Sequence, residues 1–175
     1  MCSQWQCYSD NELKLSEIKQ VFDSWDGFKV VGITGGEPGL RNDLAKIVEI
    51  INLSQPKLKR LFLTTNGSLT EKITKDVEQA LEGFDVAGKH PLFTVLVSID
   101  GPEPIHNKIR GVPTAYRKAL DTLTNLNRLK ESYDFVLGAI ATYGPFNFKE
   151  YDLVLEEFSR LTSMYDLENA FCVVW

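Results

Sequence analysis

The sequence predicts an α/β fold, a parallel β-sheet covered by helices. Three observations carry this expectation. Apolar runs of strand length alternate with longer stretches of helical period. The strand candidates are continuously apolar, as strands buried on both faces are. Small or polar residues close the first four of them, in "TGGEP", "TNG", "SIDG" and "TYGP". The carboxyl ends of parallel strands form the ligand-binding edge of such folds.

The elements follow in order. A first helix is expected from about Ser16 to Phe22. "KVVGIT", Lys29 to Thr34, reads as a strand. After it, Leu40, Leu44, Ile47, Val48 and Ile51 stand at offsets of four, seven, eight and eleven, one face of a helix. "RLFLTT", Arg60 to Thr65, is the second strand, with Thr70 as N-cap of a helix striped by Ile73, Val77, Ala80, Leu81 and Phe84. "LFTVLVSI", Leu92 to Ile99, is the third, followed by a loop and then a helix carrying Ala119, Leu120, Leu123 and Leu126. "FVLGAIAT", Phe135 to Thr142, is the fourth. Its helix opens on Asn147 and Glu150 at capping-box spacing and carries Tyr151, Val154, Leu155, Phe158 and Leu161. "AFCVVW" is the last strand. A sheet this regular leads us to expect another strand ahead of Cys2 and a helix after Trp175. The sequence then reads as part of a longer chain, with Met1 an internal methionine.

At 175 residues the chain is sized for one domain with its own core, and no linker or shift of composition divides it. Its hydrophobic fraction is 43% and its charged fraction 25%, which excludes a disordered or fibrous chain. The net charge is −5, with lysines and arginines scattered, so no basic footprint for nucleic acid is present. The longest apolar runs, such as "LFTVLV", fall far short of the ~20 residues that span a bilayer. The beginning lacks the charged start and apolar core of a signal peptide, and a cytoplasmic location is expected. Three cysteines, Cys2, Cys7 and Cys172, argue against a disulfide framework and leave metal binding, redox chemistry or burial. Cys172, inside "AFCVVW", is expected to be a core thiol.

The polar strand ends hold the candidate site. In "GGEP", Gly35, Gly36, Glu37 and Pro38, two glycines let a ligand approach the backbone and expose its carbonyls. With the Glu37 carboxylate these suit an ammonium rather than a phosphate, which wants N–H groups. A plain Gly-Gly turn with a solvated Glu is the competing reading. Asn66 in "TTNG", and Ser98 and Asp100 in "SIDG", lie at the same edge, where each motif could also be a turn alone. In "HNKIRG", placed in the loop after the third strand, Arg110 offers a fork for a carboxylate, against the commoner surface salt bridge. His90 and His106 lack the partners of a triad or zinc site. A cation site at Glu37 and an anion site at Arg110 together describe a zwitterion, an amino acid.

"MCSQW", "ITGGEPGLRNDL", "TTNG", "SIDG" and "IRG…AYRKAL", in this order and spacing, resemble the radical S-adenosylmethionine (radical SAM) enzymes from Cys2 to Trp175. The likeness is nearest to the branch with SPASM or twitch extensions. It implies a partial, TIM-like barrel of six strand–helix units, of which the five strands here are the second to sixth and the first is missing. It implies a 4Fe–4S cluster held by C-x3-C-x2-C, with Cys2 as the third ligand, the other two upstream of it, and Cys7 outside the pattern. Three thiolates leave one iron open. In the family that iron takes the amino and carboxylate groups of S-adenosylmethionine. Reductive cleavage then gives a 5′-deoxyadenosyl radical that takes hydrogen from a substrate. The resemblance sets the amino group against Gly35, Gly36 and Glu37, Ser98 near the ribose or carboxylate, and Arg110 on the carboxylate, with Asn66 and Asp100 at the same edge. Family members often carry His-Asp where this chain has His106-Asn107.

The resemblance also implies a small-molecule or peptide substrate and an electron donor such as flavodoxin or ferredoxin, while the charge distribution and short apolar runs lead us to expect no nucleic acid or membrane partner. With only Cys2 in the pattern, these 175 residues are not expected to assemble the cluster or react alone. Two other readings stand beside it. One is a non-catalytic α/β module binding an amino-acid-like ligand. The other is a barrel enzyme using Glu37 and Asp100 as acid and base.

Overall fold

A computed structural model describes residues 12–173, with side chains through residue 168. Cys2 and Cys7 lie outside the described residues, and Cys172 outside the described side chains. The elements are α1 (Leu15–Asp23), β1 (Val30–Ile33), a 3₁₀ turn (Pro38–Leu40), α2 (Leu44–Ser54), β2 (Arg60–Thr65), α3 (Thr70–Ala87), β3 (Leu92–Ser98), α4 (Glu103–Arg110), α5 (Ala115–Leu129), β4 (Val136–Tyr143), a second 3₁₀ turn (Phe148–Glu150), α6 (Tyr151–Tyr165) and β5 (Glu168–Val173).

The five strands form one sheet in the order β1-β2-β3-β4-β5, and every pairing is parallel. A sheet whose order never reverses sends each crossover the same way, so its helices share one face. Contacts of α2 with α3, α3 with α5 and α5 with α6 bear this out. The result is an open arc of a (β/α) barrel, since the sheet does not close on itself.

Alternation along the strands sets the two faces. Leu61 and Leu63 of β2, Phe93, Val95 and Val97 of β3, and Leu137, Ala139 and Ala141 of β4 are buried beneath the helices. Against them lie Ile47, Val48 and Ile51 of α2, Ile73, Val77 and Phe84 of α3, Ala119, Leu123 and Leu126 of α5, and Val154, Phe158 and Leu161 of α6. Each large apolar side chain so buried stabilises the fold by about 1.5–3 kcal/mol. On the opposite parity, the other face of the arc, Phe62, Leu96, Ser98, Val136 and Ile140 are half-buried while Thr94 and Gly138 are buried.

Five expectations are corrected. The stretch after β3 is not a loop: Glu103–Arg110 is a helix, capped by Gly111 at φ +69°. Leu40 is outside α2 and 72% exposed, because the turn begun at Pro38 ends in extended backbone at Arg41. Thr70 is the first residue of α3 and not its cap, and its hydroxyl meets that of Thr122 on α5 at 2.9 Å. Asn147 and Glu150 form no capping box, because the Asn147 side chain is committed elsewhere. Tyr151, expected on the apolar stripe of α6, is half exposed. No helix among the described residues is long and apolar enough to cross a membrane.

Candidate functional site

Side chains just beyond the strands tie the carboxyl end of β1 to that of β2 and the end of β3 to that of β4. At the end of β1, Gly35 takes φ +126°, a conformation that side-chain-bearing residues rarely adopt, and a Cβ there would meet nothing within 4 Å. The backbone is therefore open to a ligand. Glu37 follows. Its Oε1 accepts from Thr65 Oγ1 at 2.6 Å and from the Gly39 N–H at 3.1 Å, and its Oε2 accepts from the Asn66 N–H at 2.7 Å. A carboxylate has about four acceptor positions. Three are filled by the protein, so Glu37 first clamps the end of β1 to the end of β2 and keeps one position, on Oε2, for anything else. Pro38 is buried where the 3₁₀ turn begins.

The β2 end is a tight turn. Asn66 Oδ1 accepts from the Ser68 N–H at 2.8 Å, and the Gly67 N–H donates to Thr65 Oγ1 at 3.1 Å. Gly67 takes φ +72°, and a Cβ on it would lie 2.9 Å from the Ala119 Cα of α5. Thr122 Oγ1, also on α5, donates to the Gly67 carbonyl at 2.8 Å. Helix α5 thus seats this turn directly.

At the end of β3, Ser98 is half-buried, and its hydroxyl makes no hydrogen bond among the described residues. Two residues on, Asp100 is 2% exposed with every polar atom engaged. Its N–H donates to His106 Nδ1 at 3.0 Å, and its carbonyl accepts from Asn147 Nδ2 at 3.2 Å. Its Oδ1 accepts from the Thr142 N–H of β4 at 3.3 Å, and its Oδ2 accepts from Arg110 Nε at 2.7 Å. A carboxyl so enclosed cannot serve as an accessible acid or base, which removes the reading that paired it with Glu37.

Arg110 ends α4 with its side chain 23% exposed. Only its Nε is used; the two terminal nitrogens make no hydrogen bond among the described residues. Arg110 and Glu37 lie at the same edge of the sheet, as an amino-acid ligand requires. His106, one turn before Arg110, is fully buried, and burial together with the Arg110 charge pushes its imidazole down to about 4 against the pull of Asp100.

Sequence reasoning missed His106, Thr65, Thr142 and Asn147 as parts of this edge. A usable signal existed for α4: Pro102 and Pro104 at its start, Gly111 at its end, and Ile105 and Ile109 four apart. Among the described residues no three His, Cys, Asp or Glu side chains gather as a metal site, and Cys2 lies outside them.

The profile of the Radical SAM superfamily matches residues 1–156. A GTP 3′,8-cyclase of Aeromonas hydrophila is 30% identical over 131 residues, 74% of this chain and 31% of that protein. A probable GTP 3′,8-cyclase of Methanococcus maripaludis is 39% identical over 82 residues, 47% of this chain and 24% of the relative. An Fe-coproporphyrin III synthase of Methanosarcina barkeri is 31% identical over 119 residues, 66% of this chain and 27% of the relative. The chain spans no more than about a third of the length of these relatives.

Proposed function

This chain belongs to the Radical SAM superfamily, and from that premise we propose that residues 1–175 form the second to sixth strand–helix units of the superfamily's core domain, binding the amino-acid end of S-adenosylmethionine at the strand ends. Members of the superfamily are enzymes that use a 4Fe–4S cluster and S-adenosylmethionine.

The observation that carries the reading is the Arg110 guanidinium. Among the described residues it is held through Nε alone, so both terminal nitrogens can take a carboxylate bidentately. On the same edge of the sheet, the open backbone at Gly35 and the one remaining acceptor of Glu37 Oε2 suit an ammonium. The residues present therefore fit the methionyl end of the cofactor. Ser98, whose hydroxyl makes no hydrogen bond among the described residues, is assigned to the ribose or carboxylate. Asn66 acts through its backbone, which anchors Glu37, and Asp100 acts through Arg110. Pro38 starts the turn that brings Gly39 onto Glu37.

Cys2 is assigned as one thiolate ligand of the cluster. When bound, the cluster would supply the electron for the reductive cleavage of S-adenosylmethionine that starts radical chemistry on a substrate. The protein's own part is to bind, orient and exclude water. One relative's name points to a nucleotide and another's to a metalloporphyrin. Likeness to both supports shared cofactor chemistry without choosing a substrate, which we take to be a small molecule or peptide. A small electron carrier such as flavodoxin or ferredoxin and a cytoplasmic location complete the reading.

The test is an NMR titration of the chain with S-adenosylmethionine, which reads weak as well as tight binding. Saturable shifts are expected at the Gly35, Gly36 and Arg110 signals. Arg110→Gln should weaken binding about tenfold or more, the worth of a charge-assisted hydrogen bond. A variant that binds as tightly as the wild type contradicts the assignment.

A further inference from the structure

Asp100 does not face a ligand; it is held from every side. The side chains that hold it come from two elements of the fold. His106 on α4 takes its N–H, and Asn147, ahead of α6, takes its carbonyl at 3.2 Å. Asn147 also donates to the Thr142 carbonyl at 3.1 Å and accepts from the Gly144 N–H at 3.0 Å, joining the β3 end to the β4 end. What this frame positions is the Asp100 carboxylate, and through it the Arg110 guanidinium at 2.7 Å.

The chemistry of His106 is specific. A neutral imidazole accepts at one nitrogen only when its hydrogen is on the other. Accepting from the Asp100 N–H at Nδ1 therefore puts the hydrogen on Nε2. That Nε2 is buried with no hydrogen-bond partner among the described residues. A buried donor without a partner is destabilising, and an apolar residue filling this space would avoid the loss. The residue present bears it while supplying an acceptor to the Asp100 backbone.

We propose that His106 is a positioning residue for cofactor recognition: it fixes the backbone of Asp100, so that the Asp100 carboxylate aims both terminal nitrogens of Arg110 at a ligand carboxylate. This rests on the reading that Arg110 binds the carboxylate of S-adenosylmethionine.

The test compares S-adenosylmethionine with decarboxylated S-adenosylmethionine, which lacks only that group, by NMR titration of the 175-residue chain and two variants. His106→Leu removes the acceptor. His106→Asn keeps one, since Asn Oδ1 stands as many bonds from the backbone as His Nδ1. His106→Leu should lose about tenfold or more in affinity for S-adenosylmethionine with little change for the decarboxylated probe. His106→Asn should restore most of the preference. Should His106→Leu keep the wild-type preference, or lose both probes equally, the positioning role is overturned. If that variant does not fold, the ¹⁵N spectrum of the wild-type histidine decides. An Nε2–H tautomer with an accepting Nδ1 supports the role, and an Nδ1–H tautomer overturns it. A wild-type chain that binds both probes equally overturns the Arg110 reading, and the positioning role with it, whatever the tautomer.

Discussion

Nε of Arg110 lies 2.7 Å from Oδ2 of Asp100, and the pair is made at the inner corner of the guanidinium, leaving its outer fork without a hydrogen bond among the described residues. A surface ion pair made for stability would commonly spend the fork itself and contribute little, about 0–1 kcal/mol. Here the carboxylate is 2% exposed and braced by the Thr142 backbone, so it works as a fixed bracket for a cation that still faces outward.

Glu37 should prove structural as well as functional. Its oxygens accept three hydrogen bonds, from Thr65, Gly39 and Asn66. In Glu37→Gln either orientation of the amide sets an N–H against one or more of these donors. A loss of about 1–3 kcal/mol is expected in urea unfolding, with faster hydrogen exchange at the Asn66 amide. An unchanged midpoint and unchanged exchange would show that the clamp is not made.

Stability should depend on pH through His106. Its folded value is about 4, against about 6.5 in an unfolded chain. Between these values the unfolded state holds a proton that the native state refuses, so stability is full above about pH 6.5 and falls as pH drops toward 4. The two values differ enough for a loss of about 3 kcal/mol. Urea unfolding of the wild type and His106→Asn from pH 7.5 to 4 isolates this part. The wild type should lose more than the variant across that window. Parallel curves would place the titration elsewhere.

Cluster assembly should fail in the 175-residue chain, which carries one cysteine that fits the superfamily spacing, Cys2. Anaerobic reconstitution with iron and sulfide, followed by absorption spectroscopy, should give no stable 4Fe–4S spectrum. A stable spectrum, lost on replacing Cys7 or Cys172, would show that those thiols complete the ligand set.

The strands were legible because their apolar runs are continuous; β2 matches its sequence bounds at both ends. The edge they build was legible too, since "GGEP", "TTNG" and "SIDG" announce strand ends by residue type. Helix α4 escaped because two isoleucines make a thin apolar stripe, although its prolines and Gly111 mark both ends. What no local pattern reveals is who holds whom. Thr142 and Asn147 lie 42 and 47 residues beyond Asp100, and Thr65 lies 28 beyond Glu37. Glu37 and Asp100 look like free carboxylates in sequence and become anchored ones only when the parallel register brings those donors alongside.

The most direct test of carboxylate recognition at this edge is the ratio of dissociation constants of the wild-type chain for decarboxylated and intact S-adenosylmethionine. With the Arg110 fork on the carboxylate, the intact cofactor should bind about tenfold or more tightly than its decarboxylated analogue. Equal affinities for the two would contradict it.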